Sequence, residues 1–163
     1  MLTKLAHGDE DFMYELVNTP DWIRFIGDRN VKTKADAELY LQRIIHNPNV
    51  NYWVVRTQSQ LMPIGIVSFV KRDYLDFFDV GFAFLPNHTK QGFAHEATTA
   101  FLQNLAKENA IQMILATTVK ENANSIGLLK KLGFHFGQQI EIDGEELLIY
   151  AAPVNKFKSG NFF

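Results

Sequence analysis

The chain of 163 residues contains no cysteine, which excludes a disulfide framework, a thiolate nucleophile and a zinc–thiolate site. Neither sign of charge dominates: sixteen Lys and Arg face eighteen Asp and Glu, a formal net charge of −2. So balanced a chain lacks the basic footprint of a nucleic-acid binder. No apolar run approaches the ~18 residues of a membrane-spanning helix, and the opening MLTKLAHGDED is too polar for a signal peptide. The five histidines are scattered, with no i, i+4 pair beside carboxylates on one helix, so no metal site is expected. A GxSxG nucleophile turn and a Gly-Lys-Ser/Thr phosphate loop are both missing. Repeats, low-complexity stretches and internal linkers are missing as well. The expectation is a soluble cytoplasmic protein with no nucleic-acid or membrane partner.

What is present reads as one domain over residues 1–163, with 47% apolar and 21% charged residues. Fourteen phenylalanines point to an aromatic core. Helical spacing predicts a first helix in DEDFMYELVN, a short helical turn in DWIRFIGDRNV ending at Gly27, and a helix in ADAELYLQRIIHN entered through Thr33. The period then changes. YWVVRT and PIGIVSFVKR flank Gln58-Ser59-Gln60 as a hairpin, and DFFDVGFAFLP supplies a third strand. A helix over Glu96 to Asn109, a strand MILATTV and a helix from Asn124 to Leu132 follow. QQIEIDGEELLIYA closes the pattern as a hairpin about Asp143-Gly144. The tail, residues 155–163, is expected to be loosely held.

One stretch asks for a ligand. KQGFAHEA, Lys90 to Ala97, places two small residues where a strand ends and a helix begins. Such a turn aims free backbone N–H groups and the positive end of the helix dipole at one point, which suits a phosphate.

Three separated blocks, IGDRNVKTKADAELYL, DVGFAFLPNHTKQGFAHEA and NANSIGLLKKLGF, resemble the GCN5-related N-acetyltransferase (GNAT) superfamily, and within it the group similar to ribosomal-protein N-terminal acetyltransferases. The resemblance spans residues 9 to 151. It implies an α/β (α+β) fold: a mixed, mostly antiparallel central sheet, helices on both faces, and a splayed strand pair that admits acetyl-CoA. The family's pyrophosphate loop is matched by Thr89 to Ala94, with Gly92 and Ala94 at its small positions and Thr89 in place of the usual Arg or Gln. Lys90, Gln91, Phe93 and His95 complete the expected cofactor loop. The pantetheine slot would lie between Phe84-Leu85 and Ala116-Thr117. In the third block Asn122, Ser125, Lys131, Gly133 and Phe134 fit the family pattern, whereas Leu129 stands where many relatives carry a tyrosine that protonates the departing thiolate. The resemblance implies Ser125 as the substitute.

Acetyl transfer to an amine requires a deprotonated nucleophile, a stabilised oxyanion and a proton for the thiolate. A backbone N–H near Phe84 or Leu85 is the expected oxyanion donor. Asp79 is a candidate base or substrate-orienting group, and Glu141 a candidate acid over the acceptor side. A peptide α-amine, titrating near ~7.7–8.0, needs far less help than a lysine-type amine at ~10.4. Water alone, or a carboxylate reached through water, then suffices. Glu96 suits the dipole at the start of its helix. His88 and His95 flank the loop, and Trp22 and Arg24 are candidates for the mouth of the amine site. The expected partners are acetyl-CoA as cosubstrate and an amine, either a protein N-terminus or a small molecule, acting on a monomer or homodimer. Two other readings stay open: a CoA-binding sensor or partner module without catalysis, and a phosphate-binding protein unrelated to CoA.

Overall fold

The structure is a computed structural model that describes residues 1–108 and 110–158. The chain begins with β1 (Leu2–Lys4) and three helices, α1 (Glu10–Val17), α2 (Pro20–Phe25) and α3 (Lys34–Ile45). Then come β2 (Val50–Arg56), β3 (Pro63–Val70), β4 (Asp79–Phe84), α4 (Phe93–Lys107), β5 (Met113–Thr118), α5 (Ala123–Lys131), β6 (His135–Ile142) and β7 (Glu145–Pro153). Each boundary has a local cause. At α3, Thr33 Oγ1 accepts the Asp36 N–H at 3.1 Å while Asp36 Oδ2 accepts the Thr33 N–H at 2.8 Å, so two orphan donors are satisfied reciprocally. The β6–β7 turn has Asp143 at φ 52° and Gly144 at φ 81°, the paired left-handed conformation of a tight two-residue hairpin. α4 starts at Phe93, three residues before the expected Glu96, because left-handed Gly92 (φ 88°) already redirects the chain.

Among the described residues seven strands form one sheet, in the order β1-β2-β3-β4-β5-β7-β6. All neighbours run antiparallel except β4 and β5, which are parallel. Helices cover both faces, as expected from the resemblance. On one face α1, α2 and α3 bury Met13, Leu16, Trp22 and Leu41 against Val54 and Ile66. On the other, α4 and α5 bury Phe101, Leu102, Leu129 and Leu132 against Val67, Phe69 and Ile114.

The tail departs from expectation at its near end. Val154–Phe157 forms a 3₁₀ turn, Phe157 is 1% exposed, and its ring lies 6.0 Å from that of Phe134. Lys156 Nζ donates to the Gly133 carbonyl at 2.9 Å. An apolar side chain placed over the end of the core docks whatever its position in the sequence. The terminal Phe162 and Phe163 lie outside the described residues. Among the described residues, no helix is long and apolar enough to cross a membrane.

Candidate active site

The parallel pair β4 and β5 opens almost as soon as it forms. A single residue pair, Asp79↔Leu115, joins the two strands, with Leu115 N–H donating to Phe78 O at 2.9 Å. One rung later the Thr117 N–H goes to the side chain of Asp79, whose Oδ1 accepts it at 2.9 Å. Asp79 Oδ2 accepts from Thr117 Oγ1 at 3.1 Å and from Arg72 Nε at 2.5 Å. The carboxylate therefore fills the position where a β4 carbonyl would continue the ladder, and the strands diverge beyond it.

The divergence exposes backbone groups of β4. Leu85 N–H donates to Ile64 O at 2.9 Å across the β3 edge. Because N–H direction alternates along a strand, the N–H of Phe84 turns to the other edge, toward the gap. The expected oxyanion donor thus narrows to Phe84. Leu85 is a correction: it is 9% exposed, packs in the core beneath α1–α3 and does not line the cavity, since its N–H is spent in the sheet.

A cavity of about 770 Å³ runs through this gap. At one end it is walled by Thr89, Lys90, Gly92, Ala94 and His95. Lys90 (φ 58°) and Gly92 (φ 88°) are both left-handed, and among the described residues none of the N–H groups of Lys90 to His95 donates to a backbone carbonyl. These donors and the start of α4 make an anion cradle. A Cβ on Gly92 would meet nothing within 4 Å, so glycine is demanded there by the backbone conformation and not by crowding. Gln91 and Phe93 do not line the cavity. Gln91 Nε2 donates to Asn87 O at 2.7 Å and shapes the loop, while Phe93 lies 6.0 Å from the His88 ring and packs on the core. Thr89 Oγ1 donates to Pro86 O at 2.9 Å. Burial, and after it the charge of Lys131, holds the His95 imidazole below its ordinary pKa.

From the β5 side the wall is Ala116, Thr117, Thr118 and Val119, then Asn122, Ser125 and Leu129 of α5. Asn122 caps α5, its Oδ1 accepting the Ser125 N–H at 3.1 Å. Ser125 and Leu129 are one helical turn apart and share the face turned to the cavity.

The remaining end, between β3, β4 and α2, is walled by Asp21, Trp22, Phe25, Arg29, Tyr52 and Arg72, among others. Trp22 sits in this wall, 2% exposed, its Nε1 without a hydrogen-bond partner among the described residues. Arg24 is a correction: it is exposed, stacks on Phe25 with its guanidinium carbon 4.8 Å from the ring, and lies outside the cavity because α2 turns it outward. Glu141 is also corrected. It is exposed on β6 opposite Glu146 and does not reach the cavity; Glu145 and Leu147 of β7 do. Asp79 lines the cavity but is 3% exposed. Burial pushes its carboxyl above the ordinary range, opposed by Arg72 and Thr117.

Arg29, Tyr52, Arg72 and Tyr74 were not foreseen as site residues. The signal for Arg72 was the β3–β4 hairpin: once it closes at Val70↔Asp79, a base just after β3 and an acid opening β4 fall together. Among the described residues no cluster of three or more His, Asp or Glu could hold a metal ion.

Known proteins share this architecture. The acetyltransferase (GNAT) domain family matches residues 1–135. An uncharacterized N-acetyltransferase, YnaD of Bacillus subtilis (strain 168), is 28% identical over 133 residues, 82% of this chain and 77% of that protein. A GNAT-family acetyltransferase from Bacillus anthracis superposes with a TM-score of 0.78 at 22% identity, covering 94% of this chain and 93% of that one. Spermidine N-acetyltransferase from Vibrio cholerae, solved in complex with CoA and spermine, superposes with a TM-score of 0.81 at 19% identity and 98% coverage of both chains.

Proposed function

Because the chain belongs to the acetyltransferase (GNAT) family, and is on that ground an N-acetyltransferase, we propose that it moves the acetyl group of acetyl-CoA onto a primary α-amine of a peptide N-terminus or a small molecule. The observation that carries this reading is the opened β4–β5 pair running into the anion cradle of Lys90 to His95 within one cavity. A long thioester cosubstrate with a pyrophosphate at one end suits that shape.

The free amine attacks the thioester carbonyl carbon directly in a ternary complex, and the carbonyl electrons move onto oxygen, where the resulting oxyanion accepts a hydrogen bond from the Phe84 N–H. Collapse of the tetrahedral species breaks the C–S bond and expels the thiolate, which takes the proton of the Ser125 hydroxyl, while the attacking nitrogen gives up its extra proton, through water, to restore that hydroxyl. The products are the N-acetyl amine and the CoA thiol. Asp79, already engaged by three donors, orients the strands and leaves deprotonation of the α-amine to water, which suffices at a pKa near ~8. Lys90 and the N–H groups beside Gly92 hold the pyrophosphate.

Calorimetric titration with acetyl-CoA tests the foundation, using wild type and Gly92→Glu, whose carboxylate would repel the phosphates. Binding by wild type alone, followed by thiol release with an α-amine, is the expected result. Binding without thiol release across a broad amine panel would favour the non-catalytic CoA-binding module suggested by Thr89 and Leu129. No binding by either protein would remove the reading.

A further inference from the structure

The acceptor end of the cavity continues into a depression of about 440 Å³, and Arg29, Tyr52, Val70 and Arg72 belong to both. This outer depression adds Arg43 and Tyr40. Three guanidinium groups thus meet one carboxylate, Asp28. Asp28 does not neutralise them: Oδ1 accepts the Asn30 N–H at 2.7 Å and Oδ2 pairs with Lys32 at 3.2 Å. Arg72 is committed through Nε to Asp79. Arg29 and Arg43 make no ion pair and no side-chain hydrogen bond among the described residues. Arg43 finds a helix C-terminus and the Tyr40 ring at 5.9 Å, which is a structural reason for its presence. Arg29 has no such reason. The acids that line the inner part are Asp21, the engaged Asp79 and Glu145. The acceptor path therefore passes Asp21 and Glu145 beside Arg29 and Arg72, and opens onto an outer wall where guanidinium groups outnumber carboxylates.

Resting on the acetyltransferase reading, we infer that the acceptor carries an anionic oxygen group, a carboxylate or a phosphate, held by Arg29 and Arg43 while its amine points inward to the thioester. The planar guanidinium fork matches both oxyanions in bidentate fashion. A polyamine would instead set ammonium groups against uncompensated arginines. In substrate preference this chain therefore parts from the spermidine enzyme whose fold it shares.

Thiol release from acetyl-CoA is measured, with rates referred to the concentration of free amine, for pairs with and without the anion: an amino acid and its amide, O-phosphoethanolamine and ethanolamine, with spermidine alongside. The expected result is a kcat/KM at least about tenfold higher for one anionic member than for its neutral partner, a preference that collapses in Arg29→Gln/Arg43→Gln. The two pairs separate carboxylate from phosphate. Equal rates within both pairs, a preference for spermidine, or a ratio unmoved by the double substitution would overturn the inference. Titration of the arginine Nε–H resonances with inorganic phosphate and with acetate reads the site without turnover. Shifts of Arg29 and Arg43 support the inference, and their absence overturns it even if no amine in the panel reacts. Failure to bind acetyl-CoA, by contrast, removes the acetyltransferase reading while these shifts still report on the anion site.

Discussion

Asp79 Oδ1 accepts the backbone N–H of Thr117 at 2.9 Å, so a side chain of β4 makes the rung that its backbone would otherwise make. The gap between the two strands begins at that bond. A parallel pair left unpaired beyond one rung costs free energy unless the last inward donor is satisfied, and this carboxylate satisfies it while Arg72 offsets its charge.

Removing that carboxylate should therefore affect the fold and the gap together. Asp79→Ala is expected to lose about 2–4 kcal/mol of stability, below the full range for a broken buried pair because Arg72 is 38% exposed and can turn to water. Asp79→Asn keeps an acceptor for Thr117 and should lose less. Urea unfolding measures both, and acetyl-CoA affinity should fall in the same order. A base would behave otherwise: stability and affinity would hold while kcat dropped and its acidic inflection vanished.

Gly65 serves the same gap from the neighbouring strand. A Cβ there would lie 2.4 Å from Phe84 Cδ1 and 2.7 Å from the Ala83 carbonyl. The ring can move but the carbonyl cannot without shifting β4. Gly65→Ala is expected to cost about 1–3 kcal/mol through overpacking, and to weaken acetyl-CoA binding because Phe84 lines the gap. An unchanged dissociation constant in a destabilised protein would separate Phe84 from the cofactor.

Local chemistry was legible in the sequence, and long-range assembly was not. Thr33 and Asp36 announce their helix, and Asp143-Gly144 its turn, because each acts within four residues. Gly92 of KQGFAHEA announces the turn into α4 for the same reason. The Asp79–Thr117 bond joins residues 38 apart, and Arg29, Arg43 and Arg72 come from three separate segments. No periodicity marks either. Glu141 was misjudged because a hairpin alternates its faces, and its register placed Glu145 and Leu147, not Glu141, on the cavity.

His95 gives the site a pH signature. Its imidazole is held below the ordinary range by burial first and Lys131 second, so it is neutral near pH 7. A pyrophosphate bound in the cradle raises the pKa. With the bound value above the free value, affinity for acetyl-CoA grows as pH falls through the bound pKa and levels off below the free one. Calorimetry near pH 6 in two buffers of different ionisation enthalpy should record net proton uptake that His95→Asn abolishes. Equal uptake in the variant would assign the proton to the ligand's own phosphate.

Phe157 tests the docking of the tail. It is 1% exposed against Phe134, itself 1% exposed, so truncation leaves a cavity that neighbours in a packed core fill only partly. Phe157→Ala is expected to lose about 3–5 kcal/mol in urea unfolding, with little change in acetyl-CoA affinity, because neither ring lines the cavity. A loss under about 1 kcal/mol would mean that the Val154–Phe157 turn is only loosely held.

Ser125 is the sharpest test of the chemistry. Its N–H is fixed by Asn122 at 3.1 Å, so the backbone of α5 does not depend on the hydroxyl. Ser125→Ala should leave stability and acetyl-CoA affinity nearly intact while kcat falls by about tenfold to a hundredfold. That range is at or below the low end for general acid catalysis, since a thiolate departs without full protonation. A solvent isotope effect on kcat should shrink in the variant. Unchanged turnover would take Ser125 out of the mechanism and leave water as the proton source, whereas lost cofactor affinity would recast the hydroxyl as a binding group.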